Sequence, residues 1–299
     1  MMWKGLLIAM IPSLLMAATP IEWSKQDWGT MGTTHLEHAL FPDDSRKDGY
    51  KTNTNTYPYE GHYDDNQVAF AIPKGYQPGA KLDIVVIYHG HVNEAPLFIT
   101  NCKAGEYFCE AGKNAILVVP QGPKNAPDSS GGRMEKPGEF ALMINELINV
   151  WKSQKVIPQN AKLNTLIIGG YSGGYRPTAF CLKQGGMNQF IKEIWLFDAA
   201  YDFQDDLSNL VTTNPKTVFR GLYTDHQTNY HLRMMTNMAV AKVPFTVIND
   251  GDNDAGVTEV LKNNSHVFIH TVLPHDAIAF SKNYMSRFVK NSPTLKNIK

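Results

Sequence analysis

The chain has 299 residues, 43% of them hydrophobic and 19% charged, which is enough apolar material for a sizeable core in one α/β domain with extensions. Lysine plus arginine balance aspartate plus glutamate at 28 each, so no summed field draws the protein to nucleic acid or to an anionic membrane surface. The balance argues for a small or neutral substrate.

The first residues, MMWKGLLIAMIPSLLMAATP, carry one lysine, an apolar run from Gly5 to Leu15 and small residues at Ala17 and Ala18. This is the three-part pattern of a cleaved secretory signal, which places residues 1–18 outside the mature chain and the protein in the periplasm or beyond. The run falls short of the ~18 to 20 apolar residues a bilayer span needs, and Pro12 interrupts it, so no stable membrane span is expected. Residues 19–65 are rich in Thr, Asn, Asp, Tyr and Gly with little periodicity and read as an irregular extension, with the catalytic domain over 66–299. Trp23, Trp28 and Tyr57, Tyr59 and Tyr63 are expected to anchor that extension on the domain.

From VAFAIP onward the pattern is regular. KLDIVVIYHGH, NAILVVPQGP, NTLIIGGYSGG, KEIWLFDAAYD, TVFRGLYTDH and VPFTVINDG are short Val, Ile and Leu runs ending in turn residues, as in strands buried on both faces. Between them, PGEFALMINELINVWKSQ, RPTAFCLKQGG and NYHLRMMTNMAVAK have helical spacing. The alternation predicts an α/β fold, a mostly parallel sheet with helices on both faces. Export makes a bond between Cys102 and Cys109 feasible, a local staple in TNCKAGEYFCEAG, whereas Cys181 reads as a buried filler.

In such sheets functional groups gather beyond the carboxyl ends of the strands. One apolar run ends in Gly170-Tyr171-Ser172-Gly173-Gly174, a G-x-S-x-G placed between a strand and a helix, where a serine hydroxyl is projected above the sheet. A hydroxyl needs a base within hydrogen-bond reach and a third group to orient that base. His275, late in the chain and after an apolar run, is the candidate base. Two acids are candidates: Asp198, closing EIWLFD beside the small Ala199 and Ala200, is favoured, because an unpaired carboxylate there would be costly, and Asp225, closing VFRGLYTD, is the alternative. The oxyanion donors expected are the N–H of Gly173 and that of Gly90 or His91, in the loop His89-Gly90-His91.

The HG turn at Gly90, the elbow at Ser172 and the late His275 resemble the α/β-hydrolase superfamily of esterases, lipases and related serine hydrolases over roughly residues 66 to 290. LVVPQGPKNAPDSSGGRMEKPGEF and IWLFDAAYD further resemble a set of exported bacterial members. The resemblance implies a cofactor-free serine hydrolase acting on a small-molecule or polymeric ester. An amide or cell-wall hydrolase with the same triad, and a non-catalytic binder on the same fold, are the alternatives. The loop reads HGH instead of HGGG and nothing downstream of FDAAYD resembles a long lid, which favours an esterase over an interfacial lipase.

The pair His89 and His91 lacks the further ligands of a metal site, so no metal is expected there. Asp250-Gly251-Asp252-Asn253-Asp254 resembles the start of a calcium loop but carries Ala255 and Leu261 where a glycine and a glutamate belong; an acidic turn is the favoured reading, with another kind of calcium site left open.

Overall fold

Runs that are apolar at every position bury both faces of a strand, and they form the middle of this molecule. The structure is a computed structural model and describes residues 20–251, 254–278 and 283–299. The expected signal, residues 1–18, lies outside the described residues. In chain order the strands are β1 (Glu22–Gln26), β2 (Gly29–His35), β3 (Tyr50–Lys51), β4 (Thr56–Tyr57), β5 (Gln67–Pro73), β6 (Lys81–Tyr88), β7 (Ile116–Pro120), β8 (Lys162–Tyr171), β9 (Ile191–Phe197), β10 (Val218–Tyr223), β11 (Thr246–Asn249) and β12 (His266–His270). The helices are α1 (Ala95–Thr100), α2 (Ala104–Glu110), α3 (Glu139–Ser153), α4 (Tyr175–Gln184), α5 (Gln204–Thr213), α6 (Thr228–Val240), α7 (Asp254–Asn263) and α8 (Tyr284–Lys290).

Among the described residues ten strands form one sheet in the order β1-β2-β5-β7-β6-β8-β9-β10-β12-β11, and β3 pairs with β4 apart from it. From β7 to β11 every pairing is parallel, while β1, β2 and β5 add an antiparallel edge. Strand order reverses between β6 and β8, which pair directly with Tyr88 opposite Gly170. That reversal is the switch point of an open sheet, where a crevice opens beyond the carboxyl ends.

Each face carries its own core. Phe140, Leu147 and Trp151 of α3 pack on one face with Leu182 of α4, Val211 of α5 and Met234 of α6. Phe98 of α1, Phe108 of α2, Leu261 of α7 and Phe288 of α8 cover the other. Burying a side chain of this size contributes about 1.5 to 3 kcal/mol, so the sheet is fixed from both sides. No helix among the described residues is long and apolar enough to cross a membrane.

Two features depart from the sequence reading. Part of the segment read as irregular joins the sheet, because β1 and β2 make a hairpin whose polar residues alternate too weakly with apolar ones to betray it. Farther on, Leu36, Leu40, Phe41 and Tyr63 are fully buried. The staple between Cys102 and Cys109 is not formed, since both are free thiols. Helix α2 carries Cys109 into the core, while Cys102 precedes that helix and its sulfur accepts from Asn93 Nδ2 at 3.5 Å. Cys181 is buried beside the Tyr88 hydroxyl at 3.1 Å, as a filler should be.

Candidate active site

β8 leads straight into Ser172, whose φ of +53° is left-handed, a conformation that costs a non-glycine residue about 1 kcal/mol or more. The turn is tight because its neighbours lack side chains. A Cβ on Gly170 would lie 2.6 Å from the Gly174 carbonyl oxygen, and one on Gly174 would lie 2.3 Å from that of Tyr88. The G-x-S-x-G spacing thus encodes two close backbone approaches on either side of the serine. A short 3-10 turn, Ser172–Gly174, then runs into α4, so the Gly173 N–H belongs to a first turn whose donors have no intrahelical acceptor.

His275 enters from the loop after β12, on the turn His275–Ala277. Its Nε2 lies 2.8 Å from Ser172 Oγ and its Nδ1 lies 2.5 Å from Asp198 Oδ2. The Tyr171 ring stacks under the imidazole at 5.5 Å, and the Tyr171 hydroxyl donates to the His275 carbonyl at 3.1 Å. Because a carboxylate only accepts, Nδ1 carries the proton and Nε2 presents a lone pair to the serine hydroxyl.

Asp198 ends β9 fully buried, with φ +50°. It accepts the Thr224 N–H at 2.8 Å and lies 3.1 and 3.0 Å from the Thr224 hydroxyl through its two oxygens. Asp225, the other acid suggested by the sequence, is not brought to this site. Its side chain is 86% exposed and pairs with His270 Nε2 at 2.6 Å. The residues beside it, Thr224 and His226, are the ones that turn inward.

The loop after β6 forms the opposite wall. A Cβ on Gly90 would fall 2.8 Å from Ser172 Cβ, and one on Gly173 would fall 2.4 Å from the His91 ring, so both glycines serve close contact. His89 is buried and fixes the Gly90 peptide: its Nδ1–H donates to the Gly90 carbonyl at 2.8 Å, while its Nε2 accepts from Gly122 N–H at 2.9 Å and Gln121 Nε2 at 3.1 Å. In a trans peptide the N–H points opposite the carbonyl, so the His91 N–H faces away from His89. It has no acceptor among the described residues, whereas the next N–H, of Val92, is taken by Ala126 O at 3.1 Å. His91 Nε2 meets Ser129 Oγ at 2.7 Å, so the two histidines face different partners and do not form a pair of ligands.

Sequence reasoning missed the supports of this wall, which are far apart in the chain. Arg46 holds Asp128 with two bonds at 2.6 and 3.0 Å, and Tyr63 OH donates to the same carboxylate at 3.2 Å. Arg176, in the first turn of α4, grips Glu135 with two bonds at 2.7 Å.

Burial pushes two imidazoles down to about 4: that of His89 and that of His231, which stacks on Tyr223 at 4.4 Å. Both bind protons more weakly in the folded chain than in the unfolded one, where the ordinary value is 6.5. Their contribution to stability is therefore complete above pH 6.5 and is lost as pH falls toward 4, by on the order of 3 kcal/mol each. Thermal melts should show Tm falling from pH 7 to pH 4.5, with His231→Leu removing its share of the slope. An unchanged Tm over that range would contradict the buried, neutral state of both rings.

Among the described residues one set of three potential ligands converges, namely Asp198, His226 and His275, with donor atoms within 4.8 Å of one another. Two ligands on one tetrahedral zinc, at ~2.0 Å each, stand about 3.3 Å apart. The 2.5 Å between Asp198 and His275 is instead a hydrogen-bond distance, suited to sharing a proton. Of the suspected calcium loop, Asp252 lies outside the described residues, and Asp250 turns inward, accepting from Thr271 Oγ1 at 2.6 Å and Tyr284 OH at 2.8 Å.

The sheet order with its switch point and the serine elbow at the end of β8 define the α/β-hydrolase fold. Solved structures similar to this chain include a mutant feruloyl esterase module from Clostridium thermocellum with sinapinate (12% identity, 75% of this chain and 82% of that one, TM-score 0.49). An S-formylglutathione hydrolase from Agrobacterium tumefaciens is 12% identical over 90% of this chain and 95% of that one, with TM-score 0.45. A substrate-bound, fluorophosphonate-binding serine hydrolase from Staphylococcus aureus is 12% identical over 91% and 96%, with TM-score 0.42. No family model matches the sequence, and no curated protein matches it.

Proposed function

We propose that the chain is a serine hydrolase that cleaves carboxylic esters through an acyl-enzyme. The observation that carries this reading is the line from buried Asp198 through His275 to Ser172, at 2.5 and 2.8 Å. Ser172 Oγ attacks the ester carbonyl carbon as its proton passes to His275 Nε2. The electron pair of the carbonyl moves onto oxygen, where the N–H groups of Gly173 and His91 receive it. Collapse expels the alkoxide, which takes the proton from His275 and leaves as the alcohol. Water then repeats the sequence on the acyl-serine, giving the acid and free Ser172. Asp198 holds the Nδ1–H tautomer throughout and balances the imidazolium. Every proton transfer in this cycle passes through His275, with water supplying the proton that restores Ser172, and the cycle as proposed uses no cofactor.

The test is labelling of purified protein with a fluorophosphonate, with mass mapping of the adduct, followed by matched ester and amide substrates. Label on Ser172 with ester turnover well above amide turnover is the expected result. Label with amide turnover dominant would keep the triad and change the substrate class. Absence of label on folded protein would remove the hydrolase reading.

Export is part of the same proposal and rests on the pattern of residues 1–18. The intact mass of protein recovered from the periplasm or medium of an expressing bacterium should begin near Ala18 or Thr19; recovery of only the full-length chain inside cells would reject it.

A further inference from the structure

The Asp198 carboxylate faces a second imidazole that the proposed cycle does not use. His226 Nε2 lies 3.4 Å from Asp198 Oδ2, the same oxygen that holds His275. On the other side of the ring, His226 Nδ1 lies 2.6 Å from the Thr224 hydroxyl, which itself lies 3.1 and 3.0 Å from the two oxygens of Asp198. The Tyr201 hydroxyl lies 3.0 Å from His226 Nε2 and 3.5 Å from His275 Nδ1. The rings of His226 and His275 meet edge to face, with centroids 5.6 Å apart.

Proton accounting gives this ring of contacts a direction. Thr224 has a single hydroxyl proton, and the carboxylate beside it can only accept. If that proton goes to Asp198, the Thr224 oxygen is left as an acceptor, and His226 Nδ1 must bring the proton between them. His226 thereby fixes the rotor of Thr224 on Asp198, and Tyr201 closes the circuit over the two imidazoles. Asp198 needs such support, because its left-handed backbone is strained and its side chain reaches back between two strand ends. The supports come from the end of β10, where Asp225 points outward and its two neighbours point in.

The geometry points to His226 as a positioning residue of the Ser172 reaction: with Thr224 and Tyr201 it holds the Asp198 carboxylate on His275. This rests on the hydrolase reading above. His226 makes no hydrogen bond to Ser172; it acts through Thr224 and Asp198. Its side chain is 49% exposed, so its replacement removes little from the core.

The experiment compares the full chain with His226→Gln and His226→Leu by the rate of fluorophosphonate labelling at Ser172 and by the proton NMR signal of the His275 Nδ1–H. Glutamine keeps an amide N–H that can donate to the Thr224 oxygen in place of Nδ1–H, whereas leucine keeps only bulk. The leucine variant should label more slowly by on the order of tenfold, the size of effect expected for the loss of one hydrogen bond that orients the Thr224 hydroxyl, with its Nδ1–H signal shifted or broadened. Glutamine should recover labelling to within about threefold of the unsubstituted chain and restore the signal. A leucine variant that labels at the unsubstituted rate with the signal unmoved would overturn the proposal, as would equal losses in both folded variants. If the unsubstituted chain itself does not label, the hydrolase reading fails first, and that outcome is seen before any variant is compared.

Discussion

Ser172→Ala is expected to abolish labelling and to lower kcat on ester substrates by on the order of 10⁶-fold, while the protein stays folded. The size follows from the role proposed for the residue. On that reading no acyl-enzyme forms without Oγ, and the N–H groups of Gly173 and His91 can only assist direct attack by water. Alanine keeps the left-handed backbone at φ +53°, so the strain of the elbow persists and the lost bond to His275 changes stability by about 1 kcal/mol. His275→Ala should cost a similar factor, and the double variant little more than either, because the two act as one unit. Kinetics on matched substrates together with thermal melts check this; retention of more than about a thousandth of the activity in Ser172→Ala would move the nucleophile elsewhere.

Asp198→Asn is expected to lower kcat by on the order of 10⁴-fold, and Asp225→Asn by less than twofold. Asparagine at 198 can accept from Thr224 N–H through its oxygen, but its amide then points at His275 Nδ1 and demands a lone pair there. The imidazole responds by moving its proton to Nε2, which faces Ser172 and can no longer take a proton from it. The substitution also leaves donors crowded around a fully buried site, at a cost of about 1 to 3 kcal/mol in stability. Asp225→Asn removes one contact with His270 from a side chain that is 86% exposed, worth less than about 1 kcal/mol. Parallel kinetics and denaturant melts on the two variants decide between the acids; activity lost in Asp225→Asn and kept in Asp198→Asn would reverse the assignment.

The sequence favoured Asp198 through the apolar strand it closes and the small Ala199 and Ala200 after it, but why Asp225 turned out was not legible there. Both close apolar strands, and both precede helix-forming residues. The difference lies in Thr224, whose backbone N–H and hydroxyl face the end of β9, and no spacing rule announces that. The middle strands were legible for the opposite reason: two-sided burial leaves continuous apolar runs such as DIVVIY and TLIIG, which few other structures explain. The elbow was legible because close backbone approach demands glycine at 170 and 174, and glycine at fixed spacing is visible. The hairpin of β1 and β2 was hidden by its threonines and glycines, which serve turns and edge strands alike. Arg46 and Asp128 stand 82 residues apart, and an ion pair of that kind leaves no local trace.

The brace formed by Arg46 and Tyr63 on Asp128 gives this protein a weak point that the Ser172 cluster does not share. Ser129, against which His91 rests, follows directly on the braced aspartate. A protease that nicks the polypeptide near Lys51 to Asn55 would leave the serine, the histidine and their acid in register, yet loosen the floor under His91. On the proposed reading, turnover would then fail while the sheet still held, and the failure would begin at a surface segment well removed in sequence from Ser172, His275 and Asp198.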